Sequence, residues 1–186
     1  DQSTSPFVEM HVYDEGAHEV DLEELDMVQA PAWLGVDLSK NEDLTCVVAA
    51  WEDGDDGYQV WPWFFFPEDN LRTRGDLHGV DYVAWAEQGY ITPTPGNTVD
   101  LRAVEDHVRE LCARFNVKEV AFDPTYGRQM MANLFDDGLP VVEFRQGWVS
   151  MAPAVKELER AIIGRRFRHG GHPVLRWNFE NVQLHI

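Results

Sequence analysis

The feature that most constrains this chain is a change of hydrophobic rhythm. Strand-like apolar blocks come first, and helical and strand-like segments then alternate. Trp33-Leu34-Gly35-Val36-Asp37-Leu38 is a short apolar run, and Leu44 to Trp51 is a longer one rich in β-formers. Asp53-Gly54-Asp55-Asp56-Gly57 supplies hairpin-turn chemistry before Tyr58 to Phe66, where Pro62 indicates an edge strand or a bulge. Three antiparallel strands are therefore predicted first. A helical stretch at 79–88 and a Pro- and Gly-rich connector, Thr92 to Asn97, follow. Behind the N-cap candidate Asp100, the residues Leu101, Val104, Val108, Leu111 and Phe115 recur at spacings of three and four, as a core-facing helix requires. Glu119 to Asp123 then reads as a strand, 125–136 as a helix ended near Gly138, Pro140 to Phe144 as a strand, and 153–164 as a helix. Antiparallel strands followed by this alternation predict an α/β fold, a mixed sheet with helices on its faces and right-handed crossovers.

Composition narrows the function classes. At 186 residues with 44% hydrophobic and 12% aromatic side chains, one well-filled core is expected and wholesale disorder is excluded. Cys46 and Cys112 form no CxxC pair, which argues against a disulfide framework or a zinc ribbon and suits a reducing cytoplasm. No apolar run approaches the roughly 18 residues of a membrane span, and the acidic start lacks the order of a signal peptide, so a soluble, untargeted protein is expected. The net charge of −18 alone argues against a nucleic-acid binder. Its distribution says more: residues 1–29 hold nine acids and no Lys or Arg, whereas 145–186 hold three acids and seven basic residues. A basic C-terminal quarter on an acidic body is a polarity a polyanion can use. Residues 1–30 read as an acidic linker or docked arm closed by Pro31, and 31–186 as the globular domain.

Two aspartates stand out. Asp37 closes an apolar strand, where an ionised carboxylate is costly unless paired or bound to a cation. The plain alternative is a turn cap acting with Ser39 and Asn41. Asp123 ends the later strand directly before Pro124, and an Asp-Pro helix start explains it equally well when taken alone. On adjacent strands the two would place carboxylates side by side, an arrangement that favours a divalent cation, Mg²⁺ or Mn²⁺, between them.

Three antiparallel strands followed by alternating helices and strands is the order of the ribonuclease H-like fold, an order shared with other α/β folds. A more specific likeness runs from about Trp33 to Asn181. It comprises Leu34-Gly35-Val36-Asp37-Leu38-Ser39, Asp43-Leu44-Thr45, and Trp61-Pro62-Trp63-Phe64-Phe65-Phe66-Pro67-Glu68. Tyr82, Trp85, Gln88-Gly89-Tyr90-Ile91, Pro95-Gly96-Asn97 and Ala121-Phe122-Asp123-Pro124 follow, then Gln146-Gly147, His169 to Trp177, and Asn181-Val182. In this combination and order the chain resembles the nuclease domain of tailed-bacteriophage terminase large subunits.

That resemblance implies a ribonuclease H-like endonuclease that cuts concatemeric double-stranded DNA by two-metal hydrolysis. Asp37 and Asp123 match the first two ligand positions, and Asp43 lies close enough to join as a ligand or outer-shell group. Two Mg²⁺ or Mn²⁺ ions about 3.5–4 Å apart would activate a water and stabilise the leaving oxygen. The resemblance also implies an ATPase motor domain in cis, a small terminase subunit and a portal protein as partners, in the host cytoplasm with no membrane. Phosphate contacts are expected from the basic quarter: Lys156, Arg160, Arg165, Arg166, Arg168 and Arg176, with His169 beside them. Arg165 to His169 are expected near the metal edge. His169 and His172 otherwise read as ordinary loop histidines, and Trp61 to Phe66 as core. The family usually adds a third acid shortly after the segment matching Asn181-Val182; none of residues 183–186 is acidic, and Glu180 is the nearest substitute. A non-catalytic acidic docking module of a packaging motor, and another ribonuclease H-like nuclease of the resolvase or transposase type, are the competing readings.

Overall fold

The computed structural model describes residues 4–39 and 43–185. An N-terminal segment contains β1 (Thr4–Pro6), α1 (Met10–Asp14) and α2 (Leu22–Met27). The three expected strands follow as β2 (Pro31–Asp37), β3 (Thr45–Asp53) and β4 (Gly57–Pro67), each antiparallel to the one before. After a 3₁₀ turn come α3 (Leu71–His78), α4 (Tyr82–Glu87), β5 (Ile91–Thr94) and α5 (Leu101–Arg114). The alternating half is β6 (Asn116–Phe122), α6 (Pro124–Asp136), β7 (Val141–Glu143) and α7 (Trp148–Ile163), then β8 (Phe167–Arg168), α8 (Pro173–Asn181) and β9 (Gln183–His185).

Among the described residues the main sheet runs β5-β4-β3-β2-β6-β7, with β8 also pairing with β4. The pairs β2–β6, β6–β7, β4–β5 and β4–β8 are parallel, so the sheet is mixed as the rhythm predicts. Strand alternation sends Leu34, Val36, Val47, Ala49, Trp51, Val120 and Phe122 to one face. There they bury against Val104, Val108 and Leu111 of α5 and Met130 and Leu134 of α6. Each Val, Leu, Met or Phe side chain among them contributes on the order of 1.5–3 kcal/mol by leaving water. The opposite face packs Val60 against Ala161 and Ile162 of α7 and Tyr13 of α1, and Phe64 and Phe66 against Leu71, Tyr82 and Val174. The aromatic run of β4 is thus core on both faces.

Several elements differ from the sequence expectation: α8 was not anticipated, and β4, expected at an edge or bulged at Pro62, is internal with Pro62 in unbroken register opposite Val48. The 79–88 stretch holds α4 alone, and α3, which ends just before it at His78, escaped notice because only Leu71 and Gly75 are buried on it while Leu77 points to solvent. Ile91–Thr94 is strand rather than connector, and its Pro93 is tolerated because β5 is an edge strand. Helix α7 begins at Trp148, with Pro153 inside it rather than at its start. Leu101, placed on the core face by spacing, is exposed at the first turn of α5. The N-terminal segment docks on the sheet: β1 pairs with β9, Tyr13 is buried, Asp14 forks onto Arg176 at 2.8 and 3.0 Å, and Glu15 meets Arg165 at 2.6 Å.

Candidate functional site

Strands β2 and β6 run side by side in the same direction, with Gly35 opposite Ala121 and Val36 opposite Phe122. The next residue of each chain path is an aspartate. Asp37 and Asp123 therefore leave neighbouring strands at the same carboxyl edge, and both line one cleft of about 190 Å³ with Cys46, Phe144, Gln146 and Met151. Asp37 is exposed and Asp123 half-buried.

Local chemistry fixes Asp123 firmly. Its carboxylate caps α6, accepting the Thr125 N–H at 2.8 Å, and Pro124 fills the first helical position. That hydrogen bond, with the Thr125 hydroxyl, the Gln146 N–H and the Arg145 charge, holds its carboxyl below the usual carboxylate range. Gly127 lets α6 settle onto β6, because a Cβ there would meet the Phe122 ring at 2.9 Å. The helix-start reading and the ligand reading of Asp123 are thus compatible. Asp37 faces Cys46 across the β2–β3 ladder. Burial pushes the Cys46 thiol up, and the Asp37 charge adds to this, so Cys46 stays neutral beside the carboxylate. The turn after Asp37 is closed by Ser39, whose N–H and hydroxyl meet the Thr45 hydroxyl at 3.1 and 2.9 Å. Asn41, the other expected turn partner, lies outside the described residues.

Asp43 does not join them in this structure. It is exposed and meets the Arg74 guanidinium of α3 at 3.2 Å. Among the described residues no three His, Cys, Asp or Glu side chains converge in a metal-holding group. Glu180 pairs with Arg176 on α8 at 3.5 Å. Asp37 and Asp123 still suit a small hard cation, because Mg²⁺ is commonly held by one or two carboxylates while water and substrate phosphate complete its shell.

The expected phosphate contacts are dispersed. Lys156 is exposed on α7. The Arg165–His169 cluster is not near the carboxylate edge: β8 joins β4 at Tyr58 and Gln59, whereas Asp37 is level with Cys46 and Phe64. Six residues of strand separate the two levels, about 20 Å at 3.3 Å per residue. Arg165 pairs with Glu15, and Arg168 with Asp53 at 3.2 Å, while Arg166 packs beside the same hairpin end. His169 is fully buried, with its ring stacked on Tyr13 at 3.9 Å and Nε2 at 2.7 Å from the Tyr13 carbonyl. His172 is also buried, capping α8 with Nδ1 toward the Leu175 N–H at 3.4 Å, so neither histidine is an open loop residue. The cation beside Asp123 is Arg145, which sequence reasoning passed over although Gln146-Gly147 was noted. The available signal was position: β7 lies parallel to β6, so the loop that leaves it opens at the edge where α/β sheets present ligand sites.

Comparison with known proteins extends this picture. The sequence profile of the family described as terminase large subunit, endonuclease domain, matches residues 8–186, taking in most of the N-terminal segment. The large terminase subunit of Enterobacteria phage HK97 is 37% identical over 145 residues, 77% of this chain and 29% of that protein. Protein YmfN of Escherichia coli (strain K12) is 29% identical over 160 residues, 82% of this chain and 35% of that protein. The crystal structure of the HK97 bacteriophage large terminase matches 98% of this chain and 37% of its own, at 32% identity and a TM-score of 0.87. The chain thus spans about a third of the length of these relatives. A structural match this close at this identity makes the fold ribonuclease H-like, and with the profile running through to residue 186 the chain belongs to the endonuclease-domain family of terminase large subunits.

Proposed function

We propose that this domain is a metal-dependent endonuclease that cuts concatemeric double-stranded DNA during phage genome packaging. The observation that carries the reading is the matched pair Asp37 and Asp123, delivered by adjacent parallel strands to one open cleft. These two carboxylates would hold Mg²⁺ or Mn²⁺. When bound, such a cation would supply a more acidic attacking water and positive charge toward the phosphate. The chain's own part is positional. Thr125 and the Gln146 N–H keep Asp123 ionised and aimed, and Arg145 adds positive charge at the same edge. Asp43, held by Arg74, would act from outside the ligand shell. The two-ion form of the reaction asks for a third acid, which the described residues do not bring to the cleft, so the donors described fit one cation. The family setting supports an ATPase motor in cis, with a small terminase subunit and a portal protein as partners in the host cytoplasm.

Thermal unfolding with and without Mn²⁺ tests the ligand assignment without relying on turnover. At saturating Mn²⁺ the wild type is expected to gain about 5–10 °C, the effect of a ligand well above its Kd on a domain of this size. Asp37→Asn and Asp123→Asn should each abolish the gain, and Asn retains the α6 cap in the second case. An unchanged gain in both variants would remove these aspartates from the site and favour the acidic docking module.

A further inference from the structure

Among the described residues two adjacent apolar pairs stand strongly exposed, Met27 with Val28 at the end of α2 and Trp148 with Val149, and only the second lies beside the carboxylate cleft. Trp148 and Val149, the first two residues of α7, are 85% and 86% exposed, and Phe144 just before them is 37% exposed. Their loop is part of the carboxylate cleft: Phe144, Gln146 and Met151 line it, and the Gln146 N–H reaches Asp123. Contiguous exposed apolar surface of this kind marks an interaction site. Its electrostatic setting selects the partner. From residue 144 to 156 the chain carries no acid, and exposed Lys156 together with Arg145, which sits 4.0 Å from Glu143 and acts on Asp123, supplies positive charge in a chain whose net charge is −18.

Resting on the nuclease reading, we propose that Trp148 and Val149 form an apolar wedge that unstacks a base step of the DNA next to the scissile phosphate, with Arg145 on the adjoining backbone. A phosphate held through a cation at Asp37 and Asp123 would lie in the cleft that Phe144, Gln146 and Met151 line, beside the start of α7. Apolar side chains inserted at a base step loosen it, and an aromatic face then stacks on the freed base. The wedge thus contacts bases, whereas the aspartates would reach the phosphate through the cation they hold.

The test compares binding, in Ca²⁺ in place of Mg²⁺ or Mn²⁺ so that the carboxylates hold a hard cation while cutting is suppressed, to a paired duplex and to the same duplex with a short mismatched bubble carrying 2-aminopurine. The wild type should prefer the bubble on the order of tenfold, the size of one stacking contact, and should quench the 2-aminopurine. Trp148→Ala should lose both the preference and the quench, and Trp148→Phe should keep most of each. Trp148 is solvent-exposed, so its replacement leaves the core intact. A preference or quench that survives Trp148→Ala overturns the wedge. So does equal wild-type affinity for the two duplexes, or a Trp148→Ala effect confined to self-association in sedimentation. None of these outcomes touches the Mn²⁺-dependent stabilisation, which reads the two aspartates and stands or falls separately.

Discussion

Asp123 combines two roles in one carboxylate: it starts α6 by capping it and it faces Asp37 across the sheet edge. The cap was legible locally, because an aspartate closing an apolar run before proline can be recognised from a few residues, whereas the meeting with Asp37 depends on β2 lying beside β6. The surroundings of Asp43 and His169 were not, since their partners Arg74 and Tyr13 lie 31 and 156 residues away in the chain. The buried histidines carry a consequence for acid stability. His172 is 2% exposed, and burial among Trp61, Phe64 and Tyr90 pushes its pKa down to about 4. Above about pH 6.5 it is neutral in both folded and unfolded chains and has no effect on stability. Between about 6.5 and 4 the unfolded chain takes up a proton that the folded one refuses, so stability falls as pH drops, by up to about 3 kcal/mol. His169 and His107, also lowered by burial, act in the same direction. His172→Asn, which can still cap α8, should lower the melting temperature at pH 7 through lost packing, yet flatten its decline between pH 6.5 and 4. An unchanged acid slope would show that His172 is not held neutral.

At the scale of elements, legibility followed apolar content. Helix α5 was readable because Val104, Val108 and Leu111 mark one face behind an aspartate cap, which accepts the Arg102 and Ala103 N–H groups at 3.0 and 3.3 Å. Helix α3, with few buried residues, and β5, whose pairing on β4 depends on a distant strand, left little local pattern. The N-terminal segment was the hardest to read, because its order comes from contacts with the C-terminal quarter. Tyr13 stacks on His169 and packs against Phe167 and Phe179, while Asp14 and Glu15 take Arg176 and Arg165. Tyr13→Ala should therefore cost about 3–5 kcal/mol, as truncation of a buried aromatic does. Arg176→Gln, at an exposed pair, should cost no more than about 1 kcal/mol. Urea unfolding measures both, and a near-neutral Tyr13→Ala would mean that the segment lies outside the cooperative fold.

For the whole molecule, element order predicted the mixed sheet, and parallel pairing of β2 with β6 turned two separately ambiguous aspartates into one site. Charge was harder to interpret from composition. The basic C-terminal quarter is real, but Arg165, Arg168 and Arg176 are engaged by carboxylates away from the cleft, whereas Arg145, itself 4.0 Å from Glu143, is placed where its charge acts on Asp123. The ion pairs formed on folding, rather than the number of basic residues, decide which positive charge faces the site. The central claim is that Asp37 and Asp123 together make a cation-dependent DNA-cutting centre. It is tested most directly by incubating this chain with supercoiled plasmid in Mn²⁺, in Mg²⁺ and in EDTA, beside Asp37→Ala. The account expects nicking and linearisation with either cation, none in EDTA, and a loss of at least about a hundredfold with Asp37→Ala, as for removal of a group that stabilises the transition state. Cleavage that persists in EDTA or in Asp37→Ala, or its absence from the wild type with both cations, would contradict it.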